Sequence, residues 1–590
     1  MGTSEETSGR SFAADPIIAA PDELPPAWAA QLVRCVVDES VNLPDTAELS
    51  YRDPDHELLV KTGITIGTRL TVSVSTVRDR GRTTLFAGEV TALELDSDET
   101  GSFTVVRATS RVHRLFRGRK VVAFRNMTAS DIIRKVARGA GLRVGRIQAD
   151  SITYPHLSQA GVSDWDFLQD LAREHGAMVT MDDEERLEFV RLDPAARAPS
   201  PTTSSLRDPL VLEYGRNLVA LRAAVTSADQ VTGVEVRGWD VKTKTALVGR
   251  AAAVTSDTVL PGLSPATASA AFGGSPRLLV TDTPYRTQAE TGAAARALAA
   301  SASAGFGELE AVVLGNPRLR AGVPVALGNV GPAFSGRFTV TAAQHVLEPG
   351  GGYRTTVVVS ASSDRSLAGL VTGANAPARG ERINGLAVGI VTDTKEPGGR
   401  GRGEVRLRLP WLSDDYVTDW VRTAQLGGGG VCSPEVDDEV LVGFEQGCLD
   451  RPYVLGTLYN GVDLPARHDV PLVDGTRGTV DRRSLVSRGG NRLELLDKTG
   501  GPRGVRLRTG DGRLEVHLDQ QQTQITVHSN GTVSIEAKGE VTVSGQGITL
   551  DAGRGDLAMK GRRVSIDATA GLRMDGGTEA VINGRVVRLN

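Results

Sequence analysis

The last hundred residues constrain the chain more than any other stretch. From Leu493 onward, apolar residues come in pairs one residue apart: Leu493/Leu495, Val505/Leu507, Leu514/Val516, Ile525/Val527, Val533/Ile535, Val541/Val543, Ile548/Leu550, Leu557/Met559, Val564/Ile566 and Leu572/Met574. From Ile525 the onsets advance by 8, 8, 7, 9, 7 and 8 residues. Period-two alternation is the mark of a strand, and a fixed repeat of strands is the mark of a stacked β architecture. A strand this short cannot bury its apolar face alone, and its open edges invite pairing. Two geometries meet the need. One chain coils on itself as a β-helix, or three chains interleave into a three-faced prism. The Gly, Ala, Ser, Thr and Asp between the pairs suit tight corners in either. Parity assigns Val533, Ile535, Val541, Val543, Val564, Ile566, Leu572 and Met574 to the core of the stack. It turns His517 away from the face of Leu514, Val516 and Leu518, and His528 away from that of Val527. Both histidines therefore read as exposed surface residues.

A chain of 590 residues predicts roughly three to five domains. It is 40% hydrophobic and 23% charged with a net charge of -4, a balance with no footprint for nucleic acid. Three widely spaced cysteines, Cys35, Cys432 and Cys448, make neither a disulfide framework nor a zinc site. No apolar run reaches the length of about 18 residues that a membrane span needs. Residues 1–26 are acidic and Pro-rich, without the basic start and apolar core of a secretory signal. They predict a flexible segment and synthesis in the cytoplasm.

From residue 27 to 375, strand and helix patterns mix. Leu85–Asp96 and Phe103–Phe116 alternate as strands. Two helices announce their ends: Thr128 caps one with Asp131 at its third position, and Ser163 caps another that Gly176 stops. Met178–Leu192 reads as a hairpin with the acidic run Asp182–Glu185 as a solvated turn. An Ala-rich helix spans about 285–305, and a hairpin turns around Glu348–Gly352. Residues 376–465 contain five short strands, Ala387–Val391, Gly403–Leu409, Trp420–Gln425, Glu439–Phe444 and Pro452–Leu458, the count of an OB-like Greek-key barrel. Residues 466–485 read as a linker and 486–590 as the stacked repeat. The fold class is mainly β with an α+β first part.

Nothing in this pattern carries catalysis. The eight histidines fall in no metal or catalytic spacing. Glu396–Glu404 is Gly-rich but lacks the strand-loop-helix context and Lys-Ser/Thr of a phosphate loop. Asp414 and Asp415 are adjacent on a turn and splay apart. Trp411 and Trp420 read as barrel packing. The interval between barrel and repeat is too short for a hydrolase domain. The chain is expected to be no enzyme and to need no cofactor or metal.

The segments "GIVTDTKEPGGRGRGEVRLRLPWLSDD" and "PEVDDEVLVGFEQGCLDRPYVLGTLYNG", followed by the repeat, resemble the VgrG and phage tail-spike family. "VHRLFRGRKVVAFRNMTASDIIRKVARGAGL" and "SDWDFLQDLAREHG" resemble its tail-hub portion, related to the late-control D proteins. The resemblance covers about residues 27–590. It implies a homotrimer with barrel-like hub modules, an OB neck and an intertwined triple-stranded β-helical needle on the order of 50 Å long at one 4.8 Å strand spacing per repeat. It also implies the role of central spike in a contractile injection system, or of hub-spike in a contractile phage tail. A secreted carbohydrate-binding or hydrolytic β-helix protein is the contrasting reading; it calls for a secretion signal or an acidic cleft, and neither is found. The partners implied are the inner tube protein above the hub, baseplate proteins, effector cargo, and a PAAR-like tip protein. The tip protein is expected to dock on Val581, Asn583, Gly584, Val586, Val587 and Leu589, where the strands run to the end of the chain with no further domain.

Overall fold

The computed structural model describes residues 13–41, 43–76, 81–228, 230–348, 352–360, 382–399 and 401–588. It divides into two compact units, residues 1–464 and 465–590.

The centre of the first unit is a ten-stranded antiparallel sheet. Its order is Ala13–Ala19, Arg69–Thr76, Arg82–Asp98, Gly101–Thr109, Thr46–Arg52, Leu32–Ser40, Ala342–Glu348, Gly352–Val359, Gly307–Leu314 and Leu218–Val225. The two halves of the sheet meet where Cys35 pairs with Leu347 and Ser40 with Ala342. One half of the sheet buries Leu49, Tyr51, Leu70, Val72 and Leu85; the other buries Phe306, Val325, Leu327 and Phe338.

Two expectations are corrected in this sheet. Of the segment 1–26 expected to be flexible, residues 1–12 lie outside the described residues, and the rest is ordered: Ala13–Ala19 pairs with Arg69–Thr76, and Ile18, Ala20 and Leu24 are buried. Apolar burial and a ladder of backbone bonds outweigh the acidic, Pro-rich composition. The stretch Phe103–Phe116 is a strand only to Thr109, followed by a 3-10 turn over Arg111–Phe116 that buries Val112 and Leu115.

Two α+β insertions decorate the sheet. The first holds the ribbon of Lys120–Thr128 with Thr153–Val162 and the helices Ala129–Gly139 and Asp164–His175. Thr128 caps the first, its hydroxyl accepting the Asp131 N–H. Ser163 and Asp166 form a capping box on the second, and Gly176 ends it at φ 59°, a left-handed turn that glycine adopts without strain. The hairpin Met178–Met181 with Arg186–Val190 follows. Its acidic turn is not simply solvated: Glu185 is buried and lies 2.7 Å from Arg69, and Asp183 lies 2.8 Å from Arg320. The second insertion is a three-stranded sheet under the helix Gln288–Ala304. The two pack so closely that a Cβ on Gly249 would stand 2.2 Å from the Thr291 carbonyl oxygen.

The barrel has the five strands expected, Leu386–Asp393, Arg406–Arg408, Arg422–Thr423, Glu439–Phe444 and Pro452–Thr457. The bridge between Val405 and Val421 closes it. Its core is Val391, Val405, Leu407, Leu409, Val421, Val440, Val442 and Val454, against which Val121, Ala123 and Ala160 of the ribbon pack.

The second unit opens with residues that the sequence reading treats as linker. They are folded instead: Val470 is buried, Val473 bridges Val480, and Arg482–Val486 is the first of five antiparallel strands. The others are Arg492–Asp497, Arg503–Arg508, Leu514–Asp519 and Gln524–Ser529. Beyond Ser529 no described residue lies in a strand, and residues 530–588 are all exposed. The alternation expected from Val533 to Met574 is present in sequence, but within one chain its backbone edges meet no partner.

Candidate assembly interface

The five strands of the second unit have two unlike faces. Residues opposite one another in an antiparallel ladder point the same way. One face carries the row Leu485, Leu493, Leu507, Val516 and Val527, and beside it Leu495, Val505, Leu518 and Ile525. The other carries Ser484, Glu494, Arg506, His517 and Thr526.

Coverage is the reverse of what composition suggests. Glu494 is 0% exposed and Arg506 7%, whereas the apolar rows, Val505 apart, are open, from 38% at Val516 to 71% at Ile525. The segment before the strands folds onto Glu494 and Arg506 of the polar face. His468 Nε2 lies 2.5 Å from Glu494 Oε1, and Arg506 donates to Glu494 at 2.7 Å and to Asp469 at 2.9 Å. His468 Nδ1 accepts the Val470 N–H at 2.8 Å. Burial works against the Arg506 charge, but its bonds to Asp469 and Glu494 outweigh it and push its pKa up. Arg506 in turn holds the Asp469 carboxyl down at about 2. A buried charge is tolerated only when paired and hydrogen-bonded in this way.

The open face is the candidate site. Burying a Val, Leu or Ile side chain is worth roughly 1.5–3 kcal/mol, so two rows of them facing water are a strong drive to association. The alternation continues from residue 530 on: Val533, Ile535, Val541, Val543, Val564, Ile566, Leu572 and Met574 are all more than half exposed in the single chain. So are Val581 and Val586, with Val587 at 50%. Asn583 and Gly584 are exposed beside them, and Leu589 lies outside the described residues.

His517 falls on the polar face, as parity requires, but it is half-buried and its Nε2 is enclosed without a hydrogen-bond partner. His528 is exposed and bonds Asn530 Oδ1 at 2.9 Å. The buried network of His468, Asp469, Glu494 and Arg506 was not anticipated. One signal for it does exist: Glu494 and Arg506 each sit between two apolar residues, at matching positions of consecutive strands.

In the first unit, a second polar cluster fixes the ribbon to the barrel. The Ser158 N–H donates to Asp450 Oδ2 at 3.2 Å, and its hydroxyl bonds Asp450 Oδ1 and Tyr416. His156 Nδ1 lies 3.3 Å from the same carboxylate. Burial works to raise the Asp450 pKa, but His156, Ser158 and Arg451 bring it down to about 2. Among the described residues no group of His, Cys, Asp and Glu is arranged to hold a metal ion, and no helix is long and apolar enough to cross a membrane.

Residues 30–348 match the family model of the Alg8 N-terminal domain, and residues 387–459 match that of the type VI secretion system/phage-baseplate injector OB domain. Two curated Pseudomonas aeruginosa proteins, type VI secretion system spike proteins VgrG5 and VgrG4b, are each 35% identical over 107 and 109 residues. The match takes in 17% of this chain and 13% of each relative's length. Among solved structures, the lidded Francisella PdpA-VgrG complex aligns with 88% of this chain and 80% of its own, at 9% identity and a TM-score of 0.50. That likeness is one of fold.

Proposed function

We propose that the chain, which belongs to the family of the Alg8 N-terminal domain and matches the injector OB domain over residues 387–459, is a VgrG-like trimeric central spike of a contractile injection system. The observation that carries the reading is the inverted coverage of the C-terminal strands. A face of Leu, Val and Ile stands largely open while Glu494 and Arg506 on the polar face are buried. Three copies interleaved along one axis would bury the apolar rows and pair the strand edges from residue 530 on. The ten-stranded sheet and its insertions then form the hub that meets the inner tube and baseplate, and the barrel forms the neck. The role is mechanical, with no catalytic step and no cofactor.

The end of the needle is proposed to seat a PAAR-like tip protein on Val581, Asn583, Gly584, Val586, Val587 and Leu589, by burial and strand addition. Effector cargo rides on the same assembly.

The mass of the full-length chain in solution tests the trimer. Light scattering should give three times the chain mass, and a monomer at micromolar concentration rejects the reading. Docking is tested separately, by co-purifying the candidate tip protein with the full-length chain and with a variant ending at Gly577. Equal capture by both rejects the tip site and leaves the trimer standing.

A further inference from the structure

The three-stranded sheet of the second insertion has one face covered and one face bare. Its order is Thr245–Ala252, Gly233–Asp240 and Arg277–Tyr285. Val234, Val236, Ala251, Leu278 and Val280 pack toward the helix Gln288–Ala304. Alternation turns their neighbours the other way, so Glu235, Arg237 and Trp239 share the bare face with Val248, Arg250 and Leu279. Arg277 lies on the same face, at its end.

A sheet that keeps one face in water ordinarily presents polar side chains there. This one leaves Trp239 45% and Leu279 56% exposed. Its charge is also one-sided. Arg237 and Arg250 share a single carboxylate, Glu235, at 2.8 and 2.9 Å, and Arg277 has no ion pair among the described residues. Asp240 and Asp282, on the same strands, are engaged by the Lys242 N–H and by Arg382, each at 2.8 Å. Trp and Arg are the side chains in which protein interfaces concentrate their energy.

The same chain carries a complement. The hairpin of Arg82–Asp98 with Gly101–Thr109 ends in a tip whose residues 94–100 are all exposed. That tip holds four carboxylates, Glu94, Asp96, Asp98 and Glu99, and no lysine or arginine. Glu94 is engaged by Arg107 at 2.7 Å. Asp96, Asp98 and Glu99 have no ion pair among the described residues. Arg52, in the same ladder row as Asp96, lies instead over the Phe103 ring at 5.6 Å. Asp96 and Asp98 stand two apart on one strand, so they point to one side, about 7 Å from each other. Arg237 and Arg250 are diagonal neighbours on two strands, roughly 7–8 Å apart. The two spacings match.

A ring of three copies is built from heterologous contacts, in which one patch of each copy meets a different patch of the next. We propose that the basic Trp239 face of one hub docks the acidic hairpin tip of a second copy, with Arg237 and Arg250 bonding Asp98 and Asp96. The contact rests on the trimer reading above and adds to the needle a second interface that is selected by charge. Opposite charges at this spacing favour one orientation of the neighbouring hub, and like charges reject the others.

The test uses the full-length chain carrying Asp98→Cys and Arg237→Cys, treated with a short bismaleimide at micromolar concentration and read on a denaturing gel. Two- and three-chain products should form in excess of wild type and of either single-cysteine variant, at a rate that dilution leaves unchanged. Adding Arg250→Glu, which then faces Asp96, should slow the reaction at least about tenfold. Adding Asp96→Arg as well should restore it to within about twofold, a rescue that damage within one chain does not allow. Circular dichroism establishes that each variant is folded. Light scattering keeps the two ideas apart. A monomeric wild type rejects the trimer and this contact with it. A trimeric wild type whose paired cysteines give no excess product, or whose Arg250→Glu defect is not rescued by Asp96→Arg, overturns the contact alone.

Discussion

Glu494 and Arg506 stand opposite one another in adjacent antiparallel strands, joined at 2.7 Å, on the side of the sheet that is buried. Their neighbours Leu493 and Leu507 also pair, on the side that is open. Breaking the ion pair should therefore weaken the base of the repeat while leaving the apolar rows in place. Glu494→Gln and Arg506→Gln should each cost about 3–5 kcal/mol by stranding a buried charge. Together they should cost clearly less than the sum. Urea denaturation of the two single variants and the double variant checks this, and strict additivity would show that the two residues act independently.

Removing residues 486–590 should leave a chain that is monomeric or weakly associated, because the open rows and the unpaired segment beyond Ser529 go with it. Light scattering on the truncated chain is the measurement. A trimer as stable as that of the full chain would assign assembly to the hub.

Charge placed on the repeat should discriminate by parity. Ile535→Asp or Val533→Asp puts three carboxylates near one axis in the proposed prism and should prevent the needle from forming. Ser534→Asp, one residue away and facing outward, should be mild. Thermal unfolding ranks the two, and a larger loss for Ser534→Asp would reverse the assignment of faces.

The ribbon-barrel joint should be acid-labile over a defined range. The Asp450 pKa is about 2 in the folded state and about 3.9 in an unfolded chain. The native state thus binds fewer protons between these values. The stabilisation is complete above about pH 4 and is lost as pH falls toward 2, amounting to about 2 kcal/mol. Asp450→Asn should lower stability at neutral pH and flatten the decline between pH 4 and 2. Urea midpoints across that range decide, and an unchanged slope would remove Asp450 from the account.

Local rules made much of this molecule legible. Thr128, Ser163 and Gly176 mark helix ends because capping is decided within one turn, and the structure has the caps at those residues. Glu439–Phe444 reads as a strand because its neighbours in sequence supply the turns. Contacts between distant segments escaped. Nothing near Cys35 announces Leu347 as its partner, nothing in Asp182–Glu185 announces Arg69 and Arg320, and the Pro-bearing run before Arg482 gives no sign that His468 and Asp469 will fold onto Glu494 and Arg506. Each of these depends on residues brought together by the fold, where composition and period carry no information.

The pairing of Leu32–Ser40 with Ala342–Glu348 also sets an order of events during synthesis. Cys35 and Leu347 are 312 positions apart in the numbering, and ribosomes add about 5–20 residues per second. The strand Leu32–Ser40 of a nascent chain therefore waits roughly 16 to 62 seconds before its neighbour Ala342–Glu348 emerges. Throughout that interval Leu32–Ser40 is an open edge, the kind that recruits other chains into aggregates. Arg34, Asp38 and Glu39 lie along it. Before Arg320 arrives to bind Glu39, these charges oppose pairing with a foreign strand, so the residue that later anchors the hub first serves as its guard on the ribosome.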